Sequence, residues 1–303
     1  MHLSIYKLLV KHYTSNIINR LYFILTDCIY FYYTKTITTH NMVDDFLSFY
    51  NWSLTVRDKR VDGWLLMESP RPTIYISILY LTTVLFGPKW MEKRKAFNIR
   101  WLLVTYNFSM VCLNLYILTE LLIASTAKGY SYICQPIDYS EDIYEIRIAR
   151  ALWLYFISKG IEYLDTIFFI MRKKFNQVSF LHVYHHFTMF TLGWIGIKWF
   201  AGGQAFFGAQ INSFIHVIMY SYYGLTAIGP SLRKYLWWKK YLTIIQLMQF
   251  HLAIGHTAMS IYIDCPFPRW IQWAVIIYSI TFIILFGNFY LRTYNRKPIN
   301  KVN

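Results

Sequence analysis

Seven stretches of this chain stay apolar over the roughly 20 residues that a helix needs to cross a bilayer, at about 72–88, 101–123, 148–170, 181–200, 206–227, 241–262 and 271–291. They predict seven membrane-spanning helices joined by short loops. The helices form one all-α domain over residues 42–294, between an N-terminal extension (1–41) and a basic tail (295–303). Gly87-Pro88 and Gly229-Pro230 predict the ends of the first and fifth spans, because proline cannot continue the hydrogen-bond ladder and glycine tolerates the cap. Residues 17–33 are apolar and aromatic but short, and Arg20 and Asp27 interrupt them, so they predict an interfacial or weak extra helix. Met42 offers a second start.

Direction follows from the basic residues, which gather on the cytosolic side of membrane proteins. The loops after spans one, three and five hold Lys89/Lys93/Arg94/Lys95/Arg100, Arg172/Lys173/Lys174 and Arg233/Lys234/Lys239/Lys240, and Arg292, Arg296, Lys297 and Lys301 lie at the C-terminal end. Those regions are expected to be cytosolic. The loop after span two is acidic, with Asp138, Glu141, Asp142 and Glu145. This topology puts Cys134 and Cys265 in two loops on the same non-cytosolic side, where disulfides survive, and predicts that they pair. Asn51-Trp52-Ser53 is a glycosylation sequon on that side.

Composition agrees with the membrane reading. Of 303 residues, 56% are hydrophobic and only 15% charged, against about 25% in soluble domains. The formal charge of +15 comes from short clusters between apolar runs rather than one basic face, which argues against nucleic acid as a partner. The four cysteines lack CxxC or finger spacing, so a zinc module or a redox motif is not expected.

Polar residues inside the spans carry the chemistry. His182, His185 and His186 stand at i, i+3 and i+4 and share one helix face. The preceding span holds Lys159, Glu162, Asp165 and Thr166 at similar steps. Ionisable groups at that depth are expensive in lipid and are expected to face the bundle interior and pair. Glu162 or Asp165 is placed to accept an imidazole N–H and so fix which ring nitrogen reacts. Span five places Asn212, His216, Tyr220 and Tyr223 on one stripe, and span six brings Gln246 and Gln249, then His251 and His256. Four neighbouring helices therefore point polar groups at one shared cavity.

Imidazole clusters suit metals, and the HxxHH box is shared with membrane di-iron desaturases and hydroxylases, the alternative function class. That pattern needs about eight histidines, including an HxxxH element, whereas only six lie beyond residue 41 here. A zinc hydrolase would want an HExxH-like set, which is absent.

SKGIEYLDT, HVYHH, NSFIHVIMYSYY and TIIQLMQ match, in order, the KxxExxDT, HxxHH, NxxxHxxMYxYY and TxxQxxQ boxes, and the chain resembles the very-long-chain fatty acid elongase family from about Met42 to Tyr294. The resemblance implies a multi-pass protein of the endoplasmic reticulum membrane, C-terminus cytosolic, with six of its seven helices forming a barrel around a cytosol-open acyl tunnel. It implies a 3-oxoacyl-CoA synthase that condenses acyl-CoA with malonyl-CoA through an acyl-imidazole on His185, with no metal or other cofactor. The other implied partners are the bilayer, further enzymes of the elongation cycle, and elongase homo- or hetero-oligomers. His182, His186, His216, Asn212 and Asp165 would complete the catalytic set, His216 and Asn212 as donors to the developing charge. Lys159, Glu162, Tyr220, Tyr223, Gln246 and Gln249 would meet substrate, and Lys239, Lys240, Arg292 and Arg296 the phosphates of CoA.

Overall fold

The computed structural model describes residues 42–294. The expected weak helix at 17–33, the tail at 295–303 and the proposed phosphate ligand Arg296 lie outside the described residues. The chain divides after Val56 into two compact units. The described part of the first is α1 (Met42–Thr55), which carries Asp44 and Asp45 in its first turn, where carboxylates meet the positive end of the helix dipole.

The second unit contains α2 (Arg71–Glu92), α3 (Arg100–Lys128), α4 (Ile143–Ile161), α5 (Tyr163–Met171), α6 (Phe180–Phe200), α7 (Ala205–Ile228), α8 (Lys239–Tyr262) and α9 (Arg269–Tyr294). There is no strand among the described residues. Each of the seven apolar windows is helical. By length and composition, α2, α3 and α9 are apolar enough to cross a membrane. Several helices turn apolar side chains outward while ionisable ones are buried. Ile74, Ile78, Leu79, Leu85 and Phe86 of α2 and Ile277, Ile280 and Ile284 of α9 are exposed, while Lys159, Glu162, Asn212 and His216 are buried. That distribution suits lipid, where only satisfied backbone and apolar side chains are tolerated at the surface.

Two local expectations are corrected. The window at 148–170 is not one helix, since it breaks between α4 and α5 at Glu162, whose N–H bonds Ser158 O and whose carbonyl accepts from Asp165 N. And α2 does not stop at Gly87-Pro88 but runs on to Glu92. Proline's fixed φ is already helical, so the helix loses one hydrogen bond and a straight course rather than its continuity. A Cβ on Gly87 would stand 3.1 Å from two Ile170 carbons, so α2 lies tight against α5 there. At Gly229-Pro230 the expected stop is found, with α7 ending at Ile228.

The expected non-cytosolic end is tied together by groups the sequence alone did not single out. Asp58, fully buried, caps a 3₁₀ turn and receives Arg60 at 2.6 and 2.9 Å. Arg60 also donates to the carbonyls of Asp138 at 2.7 Å and Ala201 at 3.1 Å. Beside it Glu145 accepts from Tyr130 Oη at 2.6 Å, and burial raises its carboxyl above the usual range. Cys134 and Cys265 form a disulfide, Cα–Cα 5.5 Å, that joins the α3–α4 loop to the α8–α9 loop.

Gly160 lets α4 approach α6. A Cβ there would meet the Phe190 ring edge at 2.8 Å, and that ring is already stacked on Phe156 at 5.0 Å and edge-on to Tyr163 at 5.2 Å. Gly160→Ala gains about 1 kcal/mol of helix propensity but overpacks a filled core at about 1–3 kcal/mol. Net destabilisation is expected in thermal unfolding of the detergent-purified protein, and Phe190→Leu in the same chain is expected to recover part of it.

Candidate active site

The helix break at Glu162 sets the centre of the site. Lys159, in the last turn of α4, donates its ammonium to Glu162 Oε1 at 2.8 Å, to Asn212 Oδ1 at 3.1 Å, and lies 3.3 Å from His216 Nδ1. Lys159 and Glu162 are each 1% exposed. The lysine therefore pairs with Glu162, the question that residue spacing left open. Glu162 Oε1 also stands 3.1 Å from His216 Nδ1, so the ring it holds is that of α7 rather than one of the HxxHH box. When His216 Nδ1 donates to Glu162, its Nε2 is a base; when Nδ1 accepts from Lys159, Nε2 is a donor.

Asn212 extends the cluster, accepting from Tyr155 Oη at 2.9 Å and donating to Gln249 Oε1 at 3.3 Å. Tyr155 also offers its ring to the Lys159 ammonium at 4.5 Å.

The three box histidines occupy the first two turns of α6, whose start is capped by Ser179 Oγ accepting from His182 N. His182 Nε2 is 2.8 Å from Thr166 Oγ1, itself 3.1 Å from Tyr80 Oη on α2. His182 and His186 rings lie 4.2 Å apart. His185 and His186 keep a buried Nδ1 with no protein partner. One ligand atom each from Glu162, His185 and His216 lies within 4.8 Å of the others, a set that could hold a metal. The Lys159 ammonium contacts Glu162 Oε1 and lies 3.3 Å from His216 Nδ1, so a tethered cation already stands beside two residues of that set.

Other expected residues lie further out. Asp165 accepts from Tyr220 Oη at 2.8 Å and has no hydrogen bond to a histidine among the described residues. Tyr223 is partly exposed and packs on Tyr220 and Tyr222. Gln246 donates to Met219 Sδ at 3.6 Å. Lys239, Lys240 and Arg292 are exposed at the adjoining ends of α8 and α9, with Lys240 lying 5.7 Å from the Tyr290 ring centre. A polar cleft of about 340 Å³ brings Arg100 and Arg172 to the ends of α3 and α5, a pairing not foreseen from sequence.

Next to the polar cluster is an apolar cavity of about 400 Å³ between α4, α6, α7, α8 and α9. Tyr155 and Thr188 line it near the histidines, and Phe200, Phe267 and Trp270 line it at the disulfide end. Gly193, Gly196 and Gly208 are also in its wall; a Cβ on Gly196 or Gly208 would meet nothing within 4 Å.

Removing one partner from a buried ion pair strands the other charge. Lys159→Met is expected to cost about 3–5 kcal/mol, and Lys159→Met with Glu162→Gln less than that. Equilibrium unfolding of the two variants in detergent checks the order.

Residues 65–302 match the ELO, GNS1/SUR4 family. Very long chain fatty acid elongase 4 of Mus musculus is 67% identical over 258 residues, 85% of this chain and 83% of that protein. The Homo sapiens protein of the same name is 66% identical over 258 residues, 84% and 82% of the two chains. Very long chain fatty acid elongase 2 of Mus musculus is 48% identical over 245 residues, 81% and 83% of the two.

Proposed function

The chain belongs to the ELO, GNS1/SUR4 family, and from that premise we propose that it is a membrane-bound 3-oxoacyl-CoA synthase, a fatty acid elongase that condenses long- and very-long-chain acyl-CoA with malonyl-CoA. The observation that carries the reading is the Lys159–Glu162–His216–Asn212 cluster beside His185, next to an apolar cavity. The same pairing of a polar reaction centre with an apolar sleeve is what a long acyl thioester requires.

The lone pair of the His185 imidazole attacks the thioester carbonyl carbon, the C–S bond breaks, and the thiolate of CoA leaves with the proton released by the ring. Malonyl-CoA then loses carbon dioxide. The electron pair left on its α-carbon forms the new C–C bond to the acyl carbon, the C–N bond to His185 breaks, and one proton taken up by the site restores the imidazole. The developing enolate oxygen is stabilised by donors preorganised around Lys159, Asn212 and His216. Thr166, backed by Tyr80, holds His182 in place, and Asp165 with Tyr220 braces the wall behind. Lys239, Lys240, Arg292 and Arg296 bind the phosphates of CoA at the cytosolic mouth.

In the membrane of the endoplasmic reticulum, seven spans cross with the C-terminus cytosolic and α4 and α5 counted as one. Six of them, without α2, enclose the tunnel in this reading; five of the helices, α4, α6, α7, α8 and α9, line the apolar cavity. The 3-oxo product calls for reducing enzymes of the same cycle as partners, and elongase oligomers are part of the proposal.

The reaction needs no metal, because Lys159 supplies the positive charge at the one His/Glu triad of ligating geometry found among the described residues. Purified protein in chelator-treated, anaerobic buffer is expected to convert acyl-CoA and malonyl-CoA to a 3-oxoacyl-CoA two carbons longer, read by mass. His185→Ala is expected to lower that rate by about 10³-fold or more, and omission of malonyl-CoA to leave an acyl group on the intact wild-type protein. Activity that depends on iron, oxygen and a reductant would sink the proposal in favour of desaturase-like chemistry.

A further inference from the structure

The apolar cavity is not closed all round. Of the five helices that line it, α4 packs on α6 and α7, α7 on α8, and α8 on α9, whereas α6 and α9 make little backbone contact. Side chains join α6 to α9 at two levels. Near the histidines Thr188 Oγ1 lies 2.5 Å from Tyr278 Oη, Tyr184 Oη lies 3.4 Å from Thr281 Oγ1, and the His185 ring meets Phe282 edge-on at 5.3 Å. At the disulfide end the Phe200 and Trp270 rings meet at 5.6 Å. Among the described residues, no hydrogen bond or ring contact joins 189–198 of α6 to 271–277 of α9. The flank between α7 and α8, by contrast, is bridged beside the cavity by Phe207 stacked on His256 at 4.1 Å.

The gap runs between the levels of Thr188 and Phe200, roughly 18 Å of helix. Its lips are apolar and face outward as well as inward. Leu192 and Ile195 of α6 and Trp270 and Val275 of α9 line the cavity, yet they are 50%, 39%, 61% and 37% exposed, too much free surface for the cavity alone to account for. Gly196 lies between the two α6 lips, and a Cβ there would meet nothing within 4 Å.

Volume says what needs the gap. If about 150 Å³ takes the six carbons of benzene, the cavity of about 400 Å³ takes about sixteen. Longer chains overfill it. The disulfide end is tied shut, because Cys134 is bonded to Cys265 and the Nε2 atoms of Gln204 and Gln272 both donate to Ser260 Oγ of α8, at 3.1 and 2.8 Å. An apolar chain end loses little by passing between apolar lips into lipid, since acyl tails are as apolar as the side chains it leaves.

Resting on the condensing-enzyme reading and on this cavity as the acyl site, we infer that the flank between α6 and α9 is a lateral portal, through which the ω-end of a long acyl chain passes into the bilayer while its thioester stays at the histidines. The portal receives chains that outgrow the cavity, and it accepts at their far end any apolar group that lipid accepts. A chain shorter than about sixteen carbons keeps its end inside, where the walls limit its width.

The test gives the full-length protein in liposomes a chain-length series of acyl-CoAs, each in a methyl-ended and an ω-pyrenyl form, with malonyl-CoA, and reads kcat/KM for both by product mass. The ratio of ω-pyrenyl to methyl-ended extension is expected to be low at short lengths and to rise about tenfold once about sixteen carbons separate the pyrene from the thioester. Leu192→Trp with Val275→Trp, which sets an indole on each lip, is expected to bring the long-chain ratio back down by about tenfold. Because both substrates are read on one preparation, partial unfolding of the variant cancels in the ratio, and the step with length is read on the wild-type protein alone. A ratio without that step, or a long-chain ratio that the variant leaves unchanged, overturns the portal while methyl-ended extension still stands. Extension of neither substrate overturns the condensing-enzyme reading, and the inference with it.

Discussion

An ammonium and a carboxylate 2.8 Å apart, each 1% exposed inside an apolar bundle, are the constraint on which the rest of this structure depends. Neither charge is tolerable there alone, and together they persist only if their remaining hydrogen-bonding capacity is met. That requirement recruits Asn212 and His216 from α7 and fixes how α7 is rotated against α4. It also favours the break at Glu162, which carries Asp165 and Thr166 onward to partners on α7, α2 and α6. The charge pair that makes the bundle costly to assemble is the same pair that keeps water-poor donors ready for a reaction that develops negative charge.

Around this centre the two ends of the molecule are built differently. One is stitched by Arg60, which joins Asp58 to the carbonyls of Asp138 and Ala201, and by the disulfide between the α3–α4 and α8–α9 loops. The other presents exposed lysines and arginines at the ends of α8 and α9 and the cleft beside Arg100 and Arg172. A braced end and a charged end suit a substrate whose head is a polyphosphate and whose tail must be gripped out of water. Gly193, Gly196 and Gly208 line the apolar cavity without interrupting their helices.

Much of this was legible in the residue pattern because it is local. Histidines at i, i+3 and i+4 share a face on any α-helix, and apolar windows long enough to span a bilayer are helical for want of another way to satisfy their backbone. The four polar boxes therefore announced four inward faces. Less local expectations fared unevenly: Glu162 meets a histidine, His216 of α7, Asp165 meets Tyr220 instead, and α2 passes through Pro88. Tyr155, Tyr80 and Arg60 drew no attention, since single polar residues at scattered positions have no period to betray them.

The sequence by itself determined the inward faces of the helices in part, since His182, His185, His186, Asn212 and His216 lie inward while His251 and Tyr223, expected with them, are exposed; it also determined the family pattern of the boxes and the pair of cysteines free to meet in loops expected on one side of the membrane. Only the tertiary structure decided which inward residues touch. Contact between helices depends on rotation, depth and crossing, to within an ångström or so. Those are set jointly by packing across the whole bundle, as when Gly160 admits the Phe190 ring and so brings α6, with His185, against the ion pair on α4.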